Sequence, residues 1–462
     1  MSHTKIIVLD DDPTGSQTVH GCLLLTRWDV ATLRQGLQDD APLFFVLTNT
    51  RGMSADAAAA VTAEVCSNLR QALDGLAAAG APINPLLVSR SDSTLRGHYP
   101  VETDVIAEQL GPFDAHFLVP AFFEGGRITR DGVHYLMVNG DPVPVHRTEF
   151  ARDSVFGYSH SSLPDYVEEK TGGRIRADDV ERFNLADVRG DSLSRLMALH
   201  GNTCCAVDAE TQEDLDHFCG QLMTAAGRGK RFLFRSAASL LTALAGLPAQ
   251  PVAPEAMRAY TRGGRAGAVV VGSHVSKTTE QLHKLLKMPG VAAIEINVEH
   301  IASHGDRMLQ TVRDQAVQLH AAGTTPVIFT SRTEKTFTEQ AERLAFGAAV
   351  STFLIDVVRG LPRTLGFLIS KGGITSNDVL SVGLALRTSR VMGQILPGCS
   401  VVRCPADHPR FPDLPVVIFP GNVGDAQGLA QAYARLAGLD ESPERAPAAS
   451  ASALRYNRAT SQ

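Results

Sequence analysis

The strongest constraint on this fold is a recurring unit: a short apolar run, a polar cluster at its end, then a helical stretch. Residues 5–9 run into Asp10-Asp11-Asp12, residues 42–47 into Thr48-Asn49-Thr50-Arg51, and residues 85–88 into Ser89-Arg90-Ser91-Asp92. Residues 117–120 form a fourth such run, and helices are expected at about 55–79 and near 101–110. Short buried strands alternating with helices predict a parallel, doubly wound sheet. Ligands of such sheets bind beyond the carboxyl ends of the strands, which is where these polar clusters fall.

The alternation continues. Strands are expected at 203–207, ending at Asp208, and at 231–234, ending at Arg235-Ser236. Residues 121–165 read as an irregular connection, although their aromatic residues argue against disorder. The segment 247–254 carries Pro248, Pro251 and Pro254, which makes a stiff, extended spacer. Beyond it, strands are expected at 268–271, 291–296, 326–330, 365–370 and 415–420, with a closing helix at 424–436. A chain of 462 residues is long for one domain. The expected architecture is therefore α/β, with two domains, each a mainly parallel sheet flanked by helices, and a cleft between them. The expected boundaries are 1–247, a linker at 248–254, a second domain at 255–439, and a disordered tail at 440–462 rich in Ala, Ser, Pro and charge.

Composition narrows the function classes. A net charge of −6 carries no basic signature of a nucleic-acid binder. No apolar run approaches the length of a membrane span, and the first residues lack a signal-peptide core. Seven cysteines, odd in number and without a Cys-x-x-Cys pair, argue against a disulfide framework or a zinc site. Reduced thiols and a cytoplasmic location are the simplest expectation. The histidines, His98, His134, His146 and His160 among them, do not fall at metal-ligand spacing.

Five clusters carry candidate chemistry. Asp10-Asp11-Asp12-Pro13-Thr14-Gly15 crowds three carboxylates that need a cation, hydrogen bonds or solvent; an Asp-Pro turn also explains it. Ser89-Arg90-Ser91-Asp92-Ser93-Thr94-Leu95-Arg96-Gly97 brings together arginine forks and hydroxyls suited to a polyhydroxy acid; a polar helix cap is the plainer alternative. Gly272-Ser273-His274-Val275-Ser276-Lys277 superficially resembles a P-loop, but Ser276 stands where the Walker pattern needs glycine. Such a strand-to-helix entry still presents N–H groups and hydroxyls to an anion. Ser370-Lys371-Gly372-Gly373-Ile374-Thr375 and Pro420-Gly421-Asn422-Val423-Gly424 repeat the theme. Three such turns in one domain point to a nucleotide site more strongly than one would.

With these clusters in order, the chain resembles the four-carbon acid sugar kinase family from near Thr4 to near Arg435. The matching elements are Asp11-Asp12-Pro13-Thr14-Gly15, Arg90 to Gly97, Pro120-Ala121-Phe122 with Gly126-Arg127, Gly272-Ser273 with Ser276, Gly372 to Ser376, and Pro420 to Gly424. The resemblance implies an N-terminal domain for the sugar acid, a C-terminal domain for ATP, and phosphorylation of threonate, erythronate or 3-oxo-tetronate at the terminal hydroxyl. The chain departs from many members in its first loop, which reads Asp-Asp-Asp-Pro-Thr-Gly rather than Asp-Asp-Phe-Thr-Gly.

On this reading, Asp12 orients or deprotonates the hydroxyl, with Asp11 and Asp92 as the other candidates. The acid is expected to contact Thr14, Gly15, Arg90, Ser91, Asp92, Ser93, Arg96, Gly97 and Arg127. Its carboxylate falls to Arg90 or Arg96, with Arg127 as a third candidate. The nucleotide falls to Ser273, Ser276, Gly372, Gly373, Ile374, Thr375, Gly421 and Asn422. Mg²⁺ is expected on the ATP phosphates and water rather than on a protein cage. The expected partners are the sugar acid and ATP/ADP, with neither nucleic acid nor membrane, and a homodimer is compatible with the sequence. A sugar-acid dehydrogenase would need a Gly-x-Gly-x-x-Gly turn after a strand, which is not present in a suitable context. A non-catalytic sensor of sugar acid and nucleotide stays open at this point.

Overall fold

A computed structural model describes residues 3–332, 340–421 and 423–439. The expected tail lies outside the described residues. One sheet of 15 strands runs through the molecule. Its first half, in spatial order, is Leu23–Leu25, Leu43–Leu47, His3–Asp10, Ile83–Arg90, Phe232–Ser236, Ala115–Val119, Thr203–Val207 and Glu181–Phe183, all parallel. The second half has Val291–Ile296, Thr325–Thr330, Ala268–Val271, Leu368–Lys371 and Pro415–Phe419, again parallel. Strands covered on both faces should be continuously apolar, and Leu43–Leu47 and Ala268–Val271 are buried at every position.

Helices cover both faces for readable reasons. Ala55–Ala78 starts where the Ser54 hydroxyl accepts from the Ala57 amide, and buries Ala58, Thr62, Val65, Cys66, Leu69, Ala72 and Leu76. That spacing of three and four residues is one face of a helix. Val101–Leu110 matches the sequence expectation at both ends. All seven cysteines are buried and free. Among the described residues no helix is long and apolar enough to cross a membrane.

Two features depart from the sequence reading. Residues 121–165 are not irregular throughout: Arg127–Arg130, Val133–Val138 and Asp141–Pro144 form an antiparallel three-stranded sheet. Its two-residue loops, Asp131-Gly132 and Asn139-Gly140, both have positive φ at each position, as tight hairpins require. The second departure is a hairpin, Thr388–Leu396 with Cys399–Arg403, which sequence reasoning did not find. Its first strand pairs antiparallel with Leu23–Leu25 and its second with Pro415–Phe419, so it joins the two half-sheets into one. Ion pairs reinforce this seam: Arg390 is bidentate to Asp39, and Arg387 Nη2 donates to Asp29 at 2.8 Å. The proline-rich segment is fastened to the same hairpin, since Gln250 donates to the Gln394 carbonyl and accepts from its amide.

Candidate active site

The acidic turn leaves the strand His3–Asp10 between the ends of its two neighbours. The Thr48 amide donates to the Asp10 carbonyl, and the Asp11 amide to that of Arg90. Asp11 is 1% exposed and saturated: Arg51 donates to it at 2.5 and 3.2 Å, and the Ser91 hydroxyl at 2.5 Å. Asp12 is more open. Its Oδ1 accepts from the Thr14 amide at 2.9 Å and the Thr14 hydroxyl at 2.5 Å, while its Oδ2 lies 3.4 Å from Arg51. Asp92 accepts from Arg96 at 2.9 Å and from Thr94. Arg51 thus faces Asp11, Asp12 and Asp92 together.

The charges respond to this packing. Burial pushes the Asp12 carboxyl up, but Arg51, the Thr14 hydrogen bonds and Arg90 outweigh it, and the group ends below the usual range. Asp92 follows the same logic, with burial opposed by Arg51 and Arg96, and stays ionised well below its ordinary value. Burial also acts against the Arg51 charge, but Asp11, Asp12 and Asp92 more than reverse that.

Asp10 behaves differently. It is fully buried, neither carboxylate oxygen has a hydrogen-bond partner among the described residues, and Arg90 stands 3.6 Å away. Burial pushes its carboxyl up to about 8. A group raised in the folded state holds a proton that the unfolded chain releases, so folding stability falls as pH rises between the two values. Asp10→Asn cannot titrate. Its thermal midpoint should therefore gain on wild type as pH rises from about 4 towards 8 and hold a constant lead above that. Parallel melting curves across that range would refute the assignment.

Glycine is required where the chain crosses these groups. A Cβ on Gly15 would lie 1.9 Å from the Asp10 carboxylate. Gly97 has φ +120°, and a Cβ there would meet Ser91 Oγ at 2.3 Å, Arg235 at 2.7 Å and Asp11 at 2.9 Å.

The substrate-side candidates separate by depth. Arg90 is 3% exposed and lies beneath the turn beside Asp10. Arg96 is half-buried, between Asp92 and Asp153, with Phe150 under its guanidinium. Arg127 donates to the Gly125 carbonyl, covers the Phe122 ring, and has a buried Nε without a partner among the described residues. Ser93 contributes its carbonyl to His134.

The nucleotide-side turns converge. A Cβ on Gly372 would be 3.2 Å from Ser273 Cβ, one on Gly272 would be 2.2 Å from Thr375 Oγ1, and one on Gly421 would be 3.5 Å from Ser273 Oγ. Thr278 Oγ1 lies 3.2 Å from both the Gly421 carbonyl, to which it can donate, and Ser273 Oγ, from which it can accept. Ser276 is the exposed first residue of the helix Ser276–Leu285, and Ile374 is 73% exposed. Asn422 lies outside the described residues. The two halves meet here, because a Cβ on Gly373 would lie 3.5 Å from Asp12 Oδ2.

Sequence reasoning missed several supporting residues. Arg51 and Arg235 stand in strand-end clusters, and that position was the available signal. Lys371 and Thr278 also stand in such clusters, whereas Glu102 and Arg332, which donates to the Ser273 carbonyl at 2.6 Å, carried no local signal. A cavity of about 240 Å³ lies elsewhere, lined by Arg70, Asp74, Gln109 and Arg231, and contains none of these groups.

Comparison with known proteins finds two domain models in order along the chain. Residues 6–244 match the model of a sugar-binding N-terminal domain, and residues 268–429 that of a nucleotide-binding C-terminal domain. A D-erythronate kinase of Heliobacterium modesticaldum is 28% identical over 224 residues, which is 46% of this chain and 47% of that protein. A D-threonate kinase of Bordetella bronchiseptica is 33% identical over 173 residues, 36% of this chain and 39% of that one. The matched stretches span less than half the length of these curated relatives. A solved Haemophilus influenzae structure from a family of unknown function shares the fold, with a TM-score of 0.64 at 17% identity over 93% of this chain and 100% of that one. With both domain models matched in order along most of its length, the chain belongs to the four-carbon acid sugar kinase family.

Proposed function

We propose that this protein is an ATP-dependent kinase that transfers the γ-phosphoryl group to a terminal hydroxyl of a four-carbon sugar acid such as threonate, erythronate or 3-oxo-tetronate. The observation that carries this reading is the approach of Asp12 to Gly373, which sets an ionised carboxylate against the Gly-rich turn of the nucleotide half. The two curated relatives named as kinases of such acids support the substrate class.

The geometry supports the following roles. The first domain, 1–247, holds the acid and the second, 255–439, holds ATP. Asp12 Oδ2 orients the attacking hydroxyl and receives its proton, while Thr14 holds Oδ1 in place. Phosphoryl transfer asks for alignment and charge neutralisation more than for a strong base, so a depressed carboxyl is suited to the task. Arg51 keeps Asp12 ionised. Arg96 and Arg127 meet the substrate carboxylate, and Arg90, buried beside Asp10, supports the floor. Ser273, Ser276, Gly373, Thr375 and Gly421 receive the nucleotide. Mg²⁺ would be carried chiefly on phosphate and water oxygens and would neutralise phosphate charge.

The test is ADP release on mixing the purified chain with ATP, Mg²⁺ and each four-carbon acid in turn. A sensor would bind both ligands and release no ADP; a dehydrogenase would respond to a nicotinamide cofactor instead. Within an active pair, Arg96→Ala should raise KM for the acid at least tenfold and leave KM for ATP nearly unchanged, since truncating a charge-paired contact costs about 2–5 kcal/mol. Arg90→Ala should act chiefly on stability. Equal effects on both KM values would remove Arg96 from the acid subsite.

A further inference from the structure

Lys371 ends the strand Leu368–Lys371 and is fully buried. It stands level with Val271 on one side and Phe419 on the other, the last residues of the neighbouring strands. All three Gly-rich turns therefore leave the sheet from one row, with Lys371 at its centre. Its Nζ donates to the Pro420 carbonyl at 2.5 Å and to that of Gly421 at 3.1 Å, and sits 4.2 Å over the Phe419 ring. Among the described residues no carboxylate pairs with it. A neutral amine has two N–H donors, which these two carbonyls satisfy; an ammonium has three, and the third has no acceptor among the described residues.

We propose that Lys371 is a positioning residue of the nucleotide site whose ammonium form is stabilised by a bound polyphosphate, so that nucleotide binding is accompanied by proton uptake at this side chain. The inference rests on the nucleotide reading above. The amine holds the Pro420-Gly421 backbone against Ser273 and Thr278, whether charged or not. An arriving polyphosphate places negative charge beyond the same turns and favours the protonated amine. Burial lowers the free group to about 7. The groups that bear on it are Cys399, from the strand Cys399–Arg403, and Lys277, from the helix Ser276–Leu285; Lys277 acts against the charge. The Phe419 ring and the two carbonyls add no titrating group.

The sign is definite. Below pH 6 the amine is already protonated and binding takes up no proton there. Above 7 the free amine is neutral, so the nucleotide must bring a proton with it, and affinity falls up to about tenfold per pH unit. The test is calorimetry of ADP binding to the full-length protein at pH 8, in two buffers of different ionisation enthalpy. Wild type should take up about one proton more than Lys371→Arg or Lys371→Met, with the nucleotide's own protons cancelling in the comparison. Lys371→Arg keeps the charge without titrating near neutrality, so its ADP affinity should lose this extra pH dependence. Wild-type uptake no greater than the free nucleotide's own ionisation supplies would overturn the proposal without any variant. Failure of wild type to bind ADP at all would instead overturn the nucleotide reading.

Discussion

Asp12→Asn is expected to lower kcat about a hundredfold or more while nucleotide affinity stays unchanged. The substitution keeps shape and removes charge. Oδ1, which accepts from the Thr14 amide and hydroxyl, can still be the amide oxygen, so the turn keeps its geometry. The Oδ2 position, facing Arg51 and Gly373, becomes an NH₂ that cannot take a proton. Arg51 keeps Asp11 and Asp92, so the folded state tolerates the loss. The neighbours are poor substitutes. Asp11 is enclosed by Arg51 and Ser91, and Asp92 is bound by Arg96 and Thr94. The measurement is steady-state ADP release with a parallel nucleotide titration. A folded variant with near-normal kcat would move the role to Asp92, whose Oδ1 accepts no hydrogen bond among the described residues, or to Asp11, or would leave the reaction without a general base.

What could be read from the chain was local. The strands Thr203–Val207, Ala268–Val271 and Val291–Ile296 fall at the expected bounds, because a short apolar run between polar clusters needs no knowledge of its neighbours. The clusters at 10–15, 89–97, 272–276 and 372–375 were legible for the same reason. The antiparallel sheet at 127–144 was also signalled locally, by Asp131-Gly132 and Asn139-Gly140, but its strands are too short for alternation to stand out. The hairpin Thr388–Arg403 was not legible. Its first strand is defined by pairing with Leu23–Leu25, about 365 residues away in sequence, and the register shifts within it break the alternation. Arg51, Glu102 and Arg235 come from three different elements and acquire meaning only where those elements meet. Lys371 was legible as a member of the cluster 370–375, but its full burial was not, because the sheet closes over it only when the neighbouring strands are in place.

The largest stability effect is expected at Glu102. Arg235 Nη1 donates to it at 2.6 Å and the Thr50 hydroxyl at 2.5 Å, with the two charged side chains 8% and 6% exposed. Arg235 also donates to Ser89 at 2.7 Å and to Ser91 at 2.8 Å, and Ser91 in turn holds Asp11. Burial acts against the Arg235 charge, and Glu102 with Asp11 more than compensates, which raises its pKa. Glu102→Ala would leave that guanidinium buried beside an empty space. Removing one partner of a buried pair costs about 3–5 kcal/mol, far more than the pair contributes against an apolar replacement. The expected result is a thermal midpoint lower by on the order of 10 °C, at about 2–4 °C per kcal/mol for a domain of this size. Two further variants separate the causes. Glu102→Gln keeps the Thr50 contact and loses only charge, so it should fall between the two. Glu102→Leu combined with Arg235→Met removes both charges and should recover much of the lost stability. Activity should not recover with it, because Ser91 would lose the donor that orients it towards Asp11. Equal destabilisation in the single and double variants would mean that packing volume, not the buried charge, holds this corner of the site together.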